Sequence, residues 1–103
     1  MKTLTLPLKR KWFDLIKVGV KKEEYRDLND FWKKRLYESN DITSGKWHLP
    51  KSFDTLVFTL GYPKAGDTER RLVFKNPKIR IGEGKPEWGA EPGKAYFVIT
   101  WEE

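Results

Sequence analysis

The chain has 103 residues, of which 21 are Lys or Arg and 15 are Asp or Glu, so its formal net charge is +6. This length allows one domain with a modest core, to which five Trp, four Tyr and six Phe contribute much of the buried surface. The absence of cysteine excludes disulfides, thiolate metal sites and a cysteine nucleophile, and a single histidine, His48, argues against zinc chemistry. The excess of positive charge makes nucleic acid the first class of partner to consider. The alternative is a basic surface that binds no nucleic acid.

The sequence predicts neither a targeting segment nor a membrane span. The N-terminal residues lack the layout of a signal peptide, and no stretch approaches the roughly 18 apolar residues that a membrane-spanning helix needs. We therefore expect a cytoplasmic protein that has no membrane partner, no metal ion and no cofactor.

A strand and a helix are predicted first. Thr3–Leu8 alternates leucine with threonine, which predicts a short strand that ends or lies at an edge because of Pro7. Residues 9–18 have the apolar spacing of an amphipathic helix, and Gly19 fits the left-handed position that ends such a helix. The predicted apolar positions of this helix are Trp12, Leu15 and Ile16, flanked by Phe13 and Val18.

A second short helix, capped by Asp27 or Asn29, is predicted next, with Phe31, Trp32 and Leu36 on its apolar side. Residues 37–51 have no clear period and are predicted to form a loop. The remaining strands are predicted at residues 53–60, 70–74, 78–81 and 95–101, with a break or bulge at Asn76-Pro77.

Residues 19–26, with the sequence Gly-Val-Lys-Lys-Glu-Glu-Tyr-Arg, form the most unusual stretch. A half-buried strand alternates apolar and polar residues, whereas this one is charged on both faces. Written as Gly19-x-Lys21-x-x-Glu24-x-Arg26, it resembles the signature of the ASCH family, a branch of the PUA-like β-barrels. The loop of residues 82–90 is similar to bacterial and phage members of that family, and the resemblance covers nearly the whole chain.

Five or six short strands with one or two helices near the N-terminus predict a mainly β, α+β fold, and barrel closure would remove the exposed strand edges. Closure itself is implied by the resemblance, since ASCH domains are PUA-like barrels whose signature strand and first helix flank a basic cleft. We therefore expect residues 1–103 to form a single small PUA-like β-barrel. Its predicted core consists of Leu4, Leu6, Trp12, Leu15, Ile16, Leu56, Phe58, Leu72, Phe74, Phe97 and Ile99.

Three signature residues are the candidates for chemistry. Glu24 and Arg26 project to the same face of a strand, where they can pair beside a cavity. The alternative is a surface ion pair worth about 0 to 1 kcal/mol. Lys21 reaches the same cleft only if Gly19 and Val20 form a turn, and it then binds phosphate or, with a lowered pKa, acts as a base or nucleophile. The alternative is a solvated lysine.

Basic and aromatic residues elsewhere are candidates for nucleic-acid contacts. The clusters at residues 9–11 and 33–35 are predicted to line a groove for a nucleic-acid backbone, unless they are simply solvated. Trp88 is the best candidate for stacking on a base, whereas packing is the preferred interpretation for Trp47 and Tyr62. The predicted nucleic-acid-binding residues are Lys9, Arg10, Lys21, Glu24, Tyr25, Arg26, Lys33, Lys34 and Trp88.

Three functions remain open at this point. The first is a module that binds RNA or a nucleotide in the cleft. The second is a small hydrolase using Lys21 and Glu24, since the resemblance includes amidohydrolases of acylated pyrimidine nucleosides and members assigned ribonuclease activity. The amidohydrolases have a threonine nucleophile where this chain has Glu24, so hydrolysis here requires Glu24 to act as a general base on water. The third is a regulatory adaptor without a ligand.

Overall fold

The computed structural model describes residues 2–37 and 50–103, so Trp47 and His48 lie outside the described residues, as does most of the predicted loop 37–51. The strands are β1 (Thr3–Leu8), β2 (Glu24–Asp27), β3 (Thr55–Leu60), β4 (Arg71–Glu83) and β5 (Ala95–Glu102). The helices are α1 (Arg10–Lys17) and α2 (Asp30–Leu36), and a 3₁₀ turn, Pro86–Trp88, precedes β5. Asn29 caps α2, because its side chain accepts a hydrogen bond from the amide of Trp32 at 2.9 Å.

The strands form one mixed sheet in the order β1-β3-β4-β5-β2. β1 pairs with β3 in parallel, and the other three pairs are antiparallel. Within residues 2–37 and 50–103 no hydrogen-bonded ladder joins β1 to β2, so the sheet is open and the predicted barrel is not confirmed. The predicted α+β character with mainly strands is confirmed.

Arginine side chains occupy the free edge of β1. The Nη2 atom of Arg26, from β2, donates to the carbonyl of Pro7 at 3.0 Å, and Nη2 of Arg35, from α2, donates to the carbonyl of Thr5 at 3.1 Å. Pro7 has no amide hydrogen to offer a partner strand. The gap between the two edge strands is therefore bridged by a side chain instead of a ladder, which also protects the edge from pairing with another chain.

β4 is one strand of 13 residues with an irregularity in the middle. Its register shifts between Lys75 and Lys78, and Asn76 has a φ of 50°, so the predicted break at Asn76-Pro77 is a bulge within a continuous strand. Residues 71–75 pair with β3 and residues 78–83 pair with β5, and Lys75 also pairs with Glu102 of β5. A bulge bends its strand and increases the local twist, which here bends the sheet around its core.

The described residues share one hydrophobic core. Of the predicted core residues, those that are buried in it are Leu4, Leu6, Ile16, Leu56, Phe58, Phe97 and Ile99. Leu72 and Phe74 pack against it partly buried. The prediction was wrong for Trp12 and Leu15, which are only half-buried, because α1 turns Phe13 and Ile16 toward the sheet. Phe31 was predicted for the apolar side of α2, but its side chain is largely exposed, although Leu36 of the same helix is buried.

Candidate functional site

The end of α1 directs Lys21 toward the signature strand. Gly19 has a φ of 82°, and its amide donates to the carbonyl of Ile16 at 3.0 Å. The amides of Val20 and Lys21 both donate to the carbonyl of Leu15, at 2.9 and 3.0 Å. This is a Schellman motif, in which a left-handed residue lets the following amides satisfy the last helical carbonyls. The turn that Lys21 requires to reach the cleft is therefore present.

Glu24 is held between two cations. Its Oε1 atom accepts hydrogen bonds from Nζ of Lys21 at 2.8 Å and from the amide of Tyr25 at 3.1 Å, and its Oε2 accepts from Nη2 of Arg26 at 3.0 Å. Lys21 is only 2% exposed and Glu24 only 6%. The interpretation of these residues as a surface ion pair and a solvated lysine is therefore wrong. With two cations and one carboxylate, this buried cluster of Lys21, Glu24 and Arg26 carries a net positive charge.

Aromatic rings cover the cations of the buried cluster. Nζ of Lys21 lies 4.2 Å from the ring centroid of Trp12 and 5.7 Å from that of Tyr25, and Cζ of Arg26 lies 5.0 Å from that of Trp32. These distances are typical of cation–π contacts. Burial lowers the pKa of Lys21 from its usual value of 10.5, and Arg26 adds to this effect while the contacts with Glu24 oppose it. The Nε atom of Arg26 is buried and has no acceptor among the described residues.

The buried cluster lies in the wall of a cavity of about 480 Å³. The cavity is formed by the end of β1, by α1, by β2, and by the chain that leads into β5. The residues that line it are Pro7, Leu8, Lys9, Trp12, Lys21, Glu24, Tyr25, Arg26, Asp27, Trp88, Gly89, Glu91, Lys94 and Tyr96. Four aromatic rings and a set of charged side chains therefore line one space that is partly open to solvent.

The loop before β5 closes one side of the cavity. Its Lys85 amide donates to Oη of Tyr25 at 2.9 Å. A Cβ atom on Gly84 would lie 2.5 Å from the Tyr25 ring, and one on Gly89 would lie 2.9 Å from Trp12. Glycine at these two positions therefore lets the loop pack directly on the aromatic walls.

Tyr25 also supports the loop through its hydroxyl group. Its Oη atom donates to Oε1 of Glu23 at 2.8 Å while it accepts from the amide of Lys85. Burial, followed by smaller effects that include Glu23 and Glu24, raises the pKa of Tyr25 to about 12. The phenol therefore remains protonated at neutral pH and keeps both hydrogen bonds.

Charges of both signs lie at the cavity near β5. Nζ of Lys94 lies 3.2 Å from Oδ1 of Asp27, which raises the pKa of Lys94, and 5.0 Å from the ring centroid of Tyr96. Lys9 and Glu91 are exposed residues of the same lining. Cations and carboxylates are thus balanced here, whereas the buried cluster is positive.

The structure brings together most of the predicted site residues. Those that line the cavity are Lys9, Lys21, Glu24, Tyr25, Arg26 and Trp88. Arg10 instead lies exposed on α1, with Nη1 at 3.8 Å from Oδ1 of Asp14. Lys33 and Lys34 lie on α2 and line two other hollows, so the two predicted basic clusters do not surround this cavity together.

Several cavity residues were missed at the level of sequence. Trp12 was placed in the core because its spacing fits the same helical face as Ile16, although Phe13 was available for that face. Tyr96 was not among the predicted site residues, and it is buried on β5 together with Val98. A strand that is apolar on both faces is a signal that both faces are covered. Packing was the preferred interpretation for Tyr62, and this was wrong, since its side chain is almost fully exposed.

The fold and the site define an α+β protein with an open mixed sheet and a buried Lys-Glu-Arg cluster in an aromatic cavity. Comparison of the chain with models of protein families, with curated proteins and with solved structures finds no match. Membership of the ASCH family thus stays a hypothesis that rests on residues 19–26 and 82–90.

The described part of the chain contains neither a membrane-spanning helix nor a metal-binding group. No helix in residues 2–37 and 50–103 is long and apolar enough to cross a membrane. Over the same ranges, no three His, Cys, Asp or Glu side chains form a group that could hold a metal ion.

Proposed function

We propose that the protein binds a nucleotide, free or as part of an RNA, in the cavity around Lys21, Glu24 and Arg26. One observation carries this proposal: a buried, positively charged cluster lies in the wall of a cavity that four aromatic rings also line. The volume of about 480 Å³ lies in the range of small-molecule sites, roughly 300 to 1,000 Å³. A nucleotide matches this combination because it joins a flat aromatic base to an anionic phosphate.

The rings and the donors have separate roles in this proposal. A base stacks on the ring of Trp88, a contact worth about 1 to 3 kcal/mol. Arg26 lines the cavity, and its guanidinium donates to an oxygen of the ligand. Lys9 and Lys94, which line the same cavity, contact phosphate.

The resemblance to the ASCH family supports the same assignment. In that family the signature strand and the first helix flank a basic cleft, and here β2 and Trp12 of α1 flank the cavity. The side-chain bridge from Arg26 to Pro7 connects the two edges of the sheet where a PUA-like barrel would close. We include PUA-like ancestry in the proposal for these two reasons.

Titration with the four ribonucleoside monophosphates at fixed low salt tests nucleotide binding. Trp88→Ala removes a stacking ring, so its affinity is expected to fall roughly 5- to 150-fold. Lys94→Ala removes a cation from the cavity and is expected to weaken binding, whereas Lys78→Ala, an exposed lysine on β4, is expected to bind like the wild type. Absence of binding by all four nucleotides and by short RNAs would reject the proposal and favour an adaptor role.

A hydrolase is the second candidate, and one specific observation favours it. Lys21 is a buried amine with a lowered pKa, and its Nζ atom lies 2.8 Å from a carboxylate in a cavity. Such an amine can lose its proton and act as a base or nucleophile, and Glu24 can act as a general base on water. The substrates of this alternative are acylated pyrimidine nucleosides or RNA.

Two substitutions separate the binding module from the hydrolase. Lys21→Arg keeps the charge, but a guanidinium does not release a proton in this pH range. Wild type, Lys21→Arg and Glu24→Gln are incubated with acylated cytidines and short RNAs, and products are followed by chromatography. We expect no turnover and substantial binding by Lys21→Arg. Turnover by the wild type that is lost in both variants would establish the hydrolase instead.

A further inference from the structure

A second hollow lies beside the cavity, on the surface formed by β1, α2 and the chain between β3 and β4. Its volume is about 480 Å³, and Pro7 lines both spaces. Trp32 lines the second hollow and is the ring on which Arg26 of the first cavity lies. Pro7 and the stacked pair of Arg26 and Trp32 therefore lie between the two spaces.

The second hollow combines exposed rings with arginines. Tyr62 is 92% exposed and Phe31 is 65% exposed, and both line it together with Trp32. Arg35 and Arg71 also line it, and no carboxylate does so among the described residues. Single exposed aromatics are common on protein surfaces, but rings that share a concave, basic surface indicate a binding site.

A third hollow lies next to the second, at the start of β1. It also measures about 480 Å³ and shares Phe31 and Arg35 with the second hollow. Its other basic side chains are Lys2, Lys34 and Lys51, Phe53 adds a ring, and the described lining again contains no carboxylate. Shared lining residues thus connect the cavity to the second hollow and the second hollow to the third, and we call the second and third hollows together the β1–α2 track.

We propose that the ligand is single-stranded RNA, which places one nucleotide in the cavity and runs over Pro7 along the β1–α2 track. This inference rests on the proposed function of the cavity and specifies its ligand. A single strand exposes both its bases and its phosphates, so it matches rings and cations that alternate along a surface. A lone mononucleotide would use only the first space, and a duplex keeps its bases stacked away from the rings.

The carboxylates of the cavity favour RNA over DNA. Asp27 and Glu91 line the first space, and a carboxylate accepts a hydrogen bond from a ribose hydroxyl, as it does in dinucleotide sites. The 2′-hydroxyl is the group that distinguishes RNA from DNA at such a site. We therefore expect a DNA strand of the same sequence to bind more weakly than RNA.

A length series tests the track directly. Affinities for adenosine monophosphate and for oligoadenylates of two to six nucleotides are measured by calorimetry at one salt concentration. We expect affinity to rise with each of the first added nucleotides, and a hairpin duplex and the matching DNA strand to bind more weakly. Equal affinity for the monophosphate and the longest strand would overturn the track while leaving the nucleotide cavity intact.

Tyr62 provides the variant that isolates the second hollow. Tyr62→Ala removes an exposed ring, so the tetranucleotide affinity is expected to fall roughly 5- to 150-fold, toward the wild-type value for the monophosphate. Tyr62→Phe keeps the ring and is expected to retain most of the affinity. Val73→Ala removes an exposed apolar side chain of β4 and serves as the control. A tetranucleotide affinity that Tyr62→Ala leaves unchanged would overturn the inference.

Two neighbouring lysines of α2 provide a matched charge test. Lys34 lines the third hollow, whereas Lys33 lines a different hollow beside Ile81 and Phe97. Lys34→Glu is therefore expected to weaken hexanucleotide binding more than Lys33→Glu and to reduce the salt slope by about 1. Equal losses would mean that only overall charge matters and would overturn the track. If Trp88→Ala also left all binding unchanged, the proposed function of the cavity would fail as well.

Discussion

At the scale of single residues, the ion pairs of the buried cluster differ from those on the protein surface. Lys21, Glu24 and Arg26 are taken out of water together, so each charge depends on its partners for compensation. An exposed ion pair has no such dependence, because water replaces the missing partner. The chain contains both cases, which allows them to be compared.

Removing the carboxylate of Glu24 should be costly. Glu24→Gln leaves two buried cations without an anion, and breaking a buried ion pair costs about 3 to 5 kcal/mol of unfolding free energy. Lys22→Gln removes a cation from the exposed pair with Glu103, at 3.1 Å, and should cost less than about 1 kcal/mol. Urea unfolding at pH 7 measures both values. Equal, small losses would contradict the role given to the buried cluster.

Tyr25 should make the protein sensitive to alkali. Its pKa is about 12 in the folded protein, whereas an unperturbed tyrosine ionises near 10. Between pH 10 and 12 the unfolded chain therefore holds fewer protons at Tyr25 than the folded protein does. The contribution of Tyr25 to the unfolding free energy is fully present below pH 10 and is lost as the pH rises through 12.

Tyr25→Phe removes this dependence, so its unfolding free energy should fall less steeply than that of the wild type between pH 10 and 12. Tyr62→Phe changes an exposed tyrosine and should leave the slope of the wild type unchanged. Denaturant unfolding at a series of pH values provides the comparison. Identical slopes for Tyr25→Phe and wild type would show that Tyr25 ionises equally in both states.

At the scale of elements, the loop before β5 determines the shape of the cavity. Gly89 has a φ of 102° and Gly93 has a φ of 78°, so alanine is strained at both positions. Only Gly89 lies against Trp12; a Cβ on Gly93 would meet nothing within 4 Å. Comparing an alanine at each position therefore distinguishes the effect of backbone strain from the effect of contact with the cavity wall.

Gly89→Ala and Gly93→Ala should each lower the unfolding free energy by about 1 kcal/mol or more, because both place a Cβ atom at a positive φ. Gly89→Ala should in addition weaken nucleotide binding, since its Cβ displaces the ring of Trp12. Thermal unfolding and nucleotide titration are measured on both variants. A matching loss of affinity in Gly93→Ala would show that strain, and not the cavity wall, is responsible.

At the scale of the whole molecule, the excess of positive charge predicts how binding responds to salt. The net charge is +6, and the described lining of the second and third hollows contains cations without carboxylates. Each phosphate that is neutralised releases counterions, so the logarithm of the affinity should fall with the logarithm of salt by about 0.7 per phosphate.

A hexanucleotide should therefore show a steeper salt dependence than the monophosphate. Affinities between about 50 and 200 mM salt, the range over which such effects are large, provide the measurement. Lys78→Ala again serves as the control, because its exposed lysine lines none of the three hollows. A flat response for the hexanucleotide would show that its phosphates are not contacted.

The sequence by itself determined the features that depend on neighbouring residues. The bounds of β1 follow from the alternation of leucine and threonine, and the turn at Gly19 follows from the need for a left-handed residue after a helix. The bulge at Asn76 follows from the proline beside it. The same local rules brought Glu24 and Arg26 to one face of a strand, so the centre of the candidate site was predictable.

Only the tertiary structure decided the features that depend on residues far apart in the chain. The sheet stays open because Arg26 and Arg35, and not a ladder, occupy the carbonyls of β1. Trp12 faces the cavity because Phe13 competes with it for the core, a choice that periodicity alone leaves undecided. The β1–α2 track exists only because α2 packs beside β1, which brings rings and cations from distant segments together.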